Sequence, residues 1–421
     1  MSRPLASMWC SSKKPAMRSA GSGGDGPGAG RALLPSPAAG LWDDAQVRQL
    51  CFSVGLALFV ATWASLLATF VLPRGRSAFL RPTGALLWRV HWLFVQLARP
   101  LRSYEAKDGL LAIAGPAAIL IQLAAFLASF LLGLALMLTP WSASFLHALR
   151  SAAASLFSVG LARTIGRSND GLVVLAAATG AITIALQIGY LPAIYQSFAR
   201  RESLVTLTES RAGIPAWGPE VLLRHQLVST IDALGDFYAS FELWAADLAE
   251  SHSTYPVLLL FRSPVAGYSW LLSLLAVLDA AALQLALFPS TAPSEARLCL
   301  RMGFSALRRI AKTLRWQFNH DPDPAGPLQL DYAAFASAAE QLVAAGYVIE
   351  RPVEEAWPHF RGWRVNYEDL AYRLADLLVA PHVPWSGTRR YLPAAVVLPD
   401  RPPHRNPDGR TFSDMHFKKA P

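Results

Sequence analysis

Charge is what this 421-residue chain has least of. Asp, Glu, Lys and Arg make up 16% of it, where soluble domains carry about 25%, and hydrophobic residues reach 53%. Cysteine is scarce too. Cys10, Cys51 and Cys299 lie far apart with no C-x-x-C or Cys/His pattern, which excludes a disulfide framework and a zinc site of familiar spacing. There is no P-loop glycine signature, no G-x-S-x-G and no H-E-x-x-H, so nothing points to catalysis and no cofactor is expected. No alternating β pattern of any length occurs, and the expected class is an all-α membrane protein. The 38 basic residues outnumber the 29 acidic, giving +9. They flank apolar stretches instead of clustering with stacking aromatics, so nucleic acid is not an expected partner.

What is present is long apolar runs. Residues 51–72, 109–139 and 171–191 carry no charged side chain over 22, 31 and 21 positions, and each meets the length of about 20 residues needed to cross a bilayer. Ahead of them, residues 1–40 hold seven Gly, five Pro and seven Ser. That composition predicts a disordered tail over residues 1–50, and without an early apolar segment and cleavage site no cleaved signal peptide is expected. Residues 73–108 contain seven basic groups against Glu105 and Asp108, which predicts a cytoplasmic loop. Within it, residues 86–97 read as an interfacial helix anchored by Trp88 and Trp92.

The third run then returns the chain to the cytoplasm, and residues 203–387 are expected to form a helical cytoplasmic domain. Leu227, Ile231, Leu234, Tyr238, Phe241, Ala245 and Leu248 follow the 3.6 period. Asp232, Asp236, Asp247, Glu250 and His252 read as a solvated face rather than a divalent-ion sensor. Asp331 should open a helix closed near Gly346, residues 353–378 read as another, and His320 to Asp323 read as a loop. Residues 265–288 are nearly as apolar as the spans, but Asp279 near their centre costs about 2.5–3.5 kcal/mol in a bilayer. A buried helix of the soluble bundle is preferred. Residues 388–421 are expected to be a frayed Pro- and Arg-rich tail. The Ala- and Leu-rich, Arg-biased composition suggests a GC-rich bacterial genome, hence a multi-pass protein of the cell (inner) membrane.

Residues 140–170 are too few for a domain and too apolar for an ordinary loop. Thr139 can cap a helix that takes Pro140 at its first position and runs over residues 141–155, too short to cross. Ser158, Val159 and Gly160 follow it closely. A short helix entering a membrane points the partial negative charge of its C-terminus at a cation, and extended carbonyls beyond it can replace the ion's water.

This order of span, re-entrant helix, S-L-F-S-V-G-L-A and span resembles the pore domain of the two-transmembrane potassium-channel (bacterial ion-channel) family, over residues 109–200. The family filter reads T-x-x-T-V-G-Y-G. Ser155, Ser158, Val159 and Gly160 match it or exchange one hydroxyl for another, whereas Leu161 and Ala162 replace its Tyr and second Gly. Arg163 and Arg167 stand where an acid usually follows. The resemblance implies a homotetramer in the lipid bilayer passing a monovalent cation, with Arg163 at the mouth, and a cytoplasmic domain acting on the inner helix through residues 200–211. In the third run Thr179, Thr183 and Gln187 share one face, which would line the pore, and Gly180 would be its hinge. Interhelical hydrogen bonding and a packing glycine are the plain alternatives, as a simple helical hairpin is for the whole segment. A non-conducting anchor for a partner-binding domain is the competing function.

The topology is checked by single cysteines placed at Ser103 and Ser168. An impermeant thiol reagent is expected to label them from opposite sides of the membrane, and labelling of both from the same side refutes the arrangement.

Overall fold

A run without polar side chains can satisfy its backbone in lipid only by internal i→i−4 bonds. Every such run within the described residues is helical. The computed structural model describes residues 45–71, 82–157, 170–393 and 395–401, so the disordered tail expected over residues 1–50 lies outside them up to residue 44, and it is corrected at residues 45–50, which already belong to a helix continuous with the first apolar run. Among the described residues are 13 α-helices and no strand. They are α1 (Ala45–Phe70), α2 (Pro82–Ala98), α3 (Tyr104–Ala112), α4 (Ala114–Leu138), α5 (Phe145–Leu156) and α6 (Asp170–Ala212). There follow α7 (Gly218–Leu227), α8 (Leu234–Thr254), α9 (Trp270–Leu287), α10 (Ser294–Thr313), α11 (Tyr332–Ala344), α12 (Val353–Arg364) and α13 (Glu368–Leu377).

Four stretches are long and apolar enough to cross a membrane: α1, the α3–α4 run, α6 and α9. Their surroundings divide them. The first three leave large apolar side chains uncovered, with Leu120 of α4 and Val174 and Ile188 of α6 each more than 60% exposed. An uncovered apolar surface of this extent belongs in lipid. In α9 every residue is buried, enclosed by amphipathic helices including α7, α10 and α12. It is the centre of the helical domain, as its sequence leads one to expect.

Asp279 shows how α9 carries a charge. Its Oδ1 accepts from Arg364 Nη1 and from Tyr367 Oη (2.8 Å for the latter). Arg364 also donates to Glu368 Oε1, Tyr372 Oη and the Trp385 carbonyl. Burial works against the Arg364 charge, but Asp279, the tyrosines and Glu368 outweigh it and hold its pKa well above the usual value. A buried charge is tolerated only with partners on all sides.

Several boundaries differ from expectation. The second run does not start at residue 109. Pro116 cannot donate to the Ala112 carbonyl and its ring clashes there, so α3 ends and α4 begins around Ile113. The third run does not stop at Pro192 but continues as one helix of 43 residues, packed first on α4 and α5 and then on α7, α8 and α9. Leu227 closes α7, Ser229 turns the chain at φ +54°, and α8 starts only at Leu234. Residues 353–378 form two helices, because Asn366 Nδ2 donates to the Gly362 and Trp363 carbonyls and ends α12. Asp331 does cap α11, accepting from Ala334 N at 2.8 Å. Residues 388–401 are not frayed as far as they are described. Arg389 is buried among carbonyls, Asp400 N donates to Ile214 O, and Arg401 pairs with Glu220 at 2.7 Å. Residues 402–421 lie outside the described residues.

The expected solvated face also needs correcting at His252. Asp232, Asp236 and Glu250 are exposed, and Asp247 pairs with Arg200 at 3.0 Å, but His252 is fully buried. Its Nε2 lies 3.3 Å from Arg201 Nη1. A guanidinium can only donate, so Nε2 is the acceptor and the ring proton sits on Nδ1.

Burial, reinforced by the Arg201 charge, holds His252 well below 6.5. Below about pH 6.5 the unfolded chain therefore takes up a proton that the folded one refuses. Stability falls with pH by up to about 1.4 kcal/mol per unit for this group. His252→Gln should remove that slope. Thermal midpoints in detergent between pH 7 and 5 are expected to converge for wild type and variant as pH falls; parallel profiles refute the assignment.

Candidate functional site

The short helix α5 sits between α4 and α6 in sequence and packs on both. Its start differs from expectation. Thr139 does not cap it: the Thr139 hydroxyl donates back to Ala135 O at 2.8 Å, and a 3-10 turn over Thr139–Trp141 closes α4 instead. Ser144, in extended conformation, is the cap and accepts from His147 N at 3.2 Å. At 1.5 Å per residue the 12 residues of α5 reach about 18 Å, well short of a hydrocarbon core of about 30 Å. One face, with Ala148, Ala152, Ser155 and Leu156, is buried. The opposite face carries exposed His147 and Arg150.

Of the filter-like residues, Ser155 is described, and its hydroxyl donates to Ser151 O at 2.9 Å. It is therefore engaged within its own helix. Ser158, Val159, Gly160, Leu161, Ala162 and Arg163 lie outside the described residues.

Gly180 is where α6 meets the end of α5. A Cβ built there would stand 1.9 Å from the Leu156 carbonyl oxygen and 2.9 Å from its carbon. No side chain fits in that space. The helix passes through Gly180 without a break, and the residue is a packing contact with the end of α5.

The stripe expected to line a pore is covered by the chain itself. Thr179, Thr183 and Gln187 are all at most 5% exposed. They share the buried face of α6 with Ala176 and Gly180, the latter against α5. A face lining a cavity on an oligomer axis would stand open in one subunit; here the chain's own atoms cover it. Thr183 Oγ1 donates to Thr179 O at 2.7 Å, a bond back to its own helix. Thr179 Oγ1 and Gln187 Oε1 have no partner among the described residues. An unpaired buried polar atom costs about 1–3 kcal/mol.

Below the membrane run, α6 is fixed to the helical domain by groups that sequence reasoning passed over. Arg201 is fully buried. It donates to Glu202 Oε1 (2.8 Å), Leu258 O (2.9 Å) and Phe261 O (2.8 Å), while its own carbonyl accepts from Trp244 Nε1. The segment after α8 that supplies those carbonyls also supplies Arg262, which donates to Asp108 Oδ1 (2.5 Å), Tyr104 Oη (2.8 Å) and Leu378 O (2.6 Å). Residues 258–262 thus clasp α3 and α6 together. An Arg-Arg-Glu sequence at the end of a span reads as charge retained in water, and no sequence signal marks one of the two arginines as buried.

Family models, curated proteins and solved structures offer no match to this chain. The potassium-channel resemblance stands on its own residues alone.

The Gly180 contact makes a direct prediction. Overpacking a fitted contact costs about 1–3 kcal/mol, so Gly180→Leu should lower the thermal midpoint in detergent. Gly189, with nothing within 4 Å of an added Cβ, is the control, and Gly189→Leu should leave the midpoint unchanged. Equal effects at both positions refute close packing of α5 on α6.

Proposed function

We propose that this protein is a pore-type protein of the cell (inner) membrane, with its helical domain on the cytoplasmic side. In this reading α4, α5 and α6 form one quarter of a passive, potassium-type cation pathway. The observation that carries it is α5: a capped helix too short to cross, lodged against two apolar helices that are long enough. A helix so placed brings its C-terminal carbonyls to the middle of the membrane, where their partial charge favours a cation. The carbonyls of Ser158, Val159 and Gly160 are the ligands the resemblance implies. One such segment cannot surround an ion, so the working unit is a homotetramer. The helical domain acts on the pathway through α6, which enters it unbroken.

The covered stripe of Thr179, Thr183 and Gln187 favours a second reading, a non-conducting anchor that holds the helical domain for a partner. Oligomeric mass and current separate the two. Purified protein in a planar bilayer under potassium, sodium and chloride gradients is expected to pass cations, and its detergent-solubilised form to show a four-subunit mass. A ring of four Arg163 guanidiniums at the mouth would oppose cation entry, so Arg163→Glu should raise the current, more at low salt than at high. A stable monomer without current establishes the anchor instead.

A further inference from the structure

Beside the clasp, α2 leaves a cavity of about 500 Å³ against the helical domain, within the range of about 300–1,000 Å³ typical of ligand pockets. Its walls include Trp88 and Trp92 of α2, Leu314 and Trp316 beyond α10, and the facing pair Asp376 and Arg390. The far side of α2 fixes its level in the molecule. There α2 packs on α4, and Val90 belongs to the same continuous core as Ala118 and Ile119 near the start of α4. The cavity therefore lies where the apolar helices pass into the helical domain, at the membrane face. His91 secures this placement, its Nε2 donating to Leu377 O at 2.8 Å.

The charges around the cavity select its guest. An aromatic box with an acid invites a cation, but here the protein's own cations already occupy two of the aromatic faces, those of Trp316 and Tyr391. The guanidinium carbon of Arg373 stands 4.4 Å over Trp316, and that of Arg99 4.6 Å over Tyr391 at the cavity edge. Asp376 is neutralised as well: Oδ1 accepts from Arg390 N (2.8 Å) and Oδ2 from Arg390 Nε (2.5 Å). The Arg390 side chain is nonetheless 73% exposed. Its terminal nitrogens bond to no described residue, leaving a fork of donors suited to a phosphate. The same cavity also has an apolar wall, on which Trp92 is 62% exposed.

We infer that this cavity binds an anionic phospholipid from the leaflet facing the helical domain, its phosphate on Arg390 and its first chain segment along Trp92 and Leu314. The inference rests on the membrane location of the chain and is independent of whether the hairpin conducts.

Native mass spectrometry of the full chain in detergent tests it, with dioctanoyl phosphatidylglycerol as the probe. Dioctanoyl phosphatidylcholine, inorganic phosphate and tetramethylammonium are the comparators. The anionic lipid should bind at least about tenfold more tightly than the zwitterionic one, the scale of a charge-assisted contact. Arg390→Gln, which keeps the backbone bond to Asp376, should erase that preference. Trp92→Ala, at an exposed position, should weaken both lipids while leaving the helical circular dichroism unchanged. Equal binding of the two lipids overturns the inference. So does inorganic phosphate that competes as well as the anionic lipid, marking a soluble ligand, or tetramethylammonium that competes, marking a cation cage. Lipid adducts unaffected by either variant place the lipid elsewhere and overturn it too.

Discussion

A guanidinium with no access to water must find an acceptor for every donor or leave the interior. Arg201 meets that condition with the Glu202 carboxylate, the His252 ring and the carbonyls of Leu258 and Phe261. Those acceptors come from α6, α8 and the segment that follows α8, so satisfying one side chain fixes three parts of the chain relative to each other. Arg262, five positions past the start of that segment's buried stretch at Val257, repeats the device toward α3 through Asp108 and Tyr104. The membrane-facing helices and the helical domain are joined by directional bonds as well as by apolar contact.

The same logic recurs inside the domain. Arg364 draws Asp279, Glu368, Tyr372 and the Trp385 carbonyl around itself, and Arg389 does so with the carbonyls of Ala380 and Pro381. A core rich in Leu and Ala is permissive about register, because one small apolar contact replaces another at little cost. Fully bonded arginines are not permissive. They restrict which of the many sliding arrangements of such helices keeps every donor paired.

Run length and charge made the spans legible in the sequence, and the single acid at Asp279 distinguished α9 from them. The cap at Asp331 was legible because Asp at that position has a specific bond to make. Boundaries set by tertiary packing were not. Pro192 reads as a stop, yet packing on both sides of it carries α6 onward, while Pro116, inside an uncharged run, marks the start of α4. The polar positions of α6 were found, but periodicity places residues on a common face without saying what covers that face. Thr179, Thr183 and Gln187 are covered within the chain, and on the same face Gly180 meets the end of α5. The buried arginines were the least legible, since a basic residue after an apolar run ordinarily reports orientation only.

The unbroken length of α6 has a mechanical side. Arg201 lies 31 positions beyond Asp170 on one helix, a rise of about 46 Å at 1.5 Å per residue. A rod clasped at its base magnifies at its tip any angular error that its packing on α4 and α5 does not absorb. A tilt of only about 5° about the Arg201 fulcrum would sweep the Asp170 end through roughly 4 Å, about three quarters of the pitch of one helical turn. Small rearrangements among carbonyls at the base of the rod are therefore large displacements at its far tip, and the stiffness of the clasp sets how still that tip can be held.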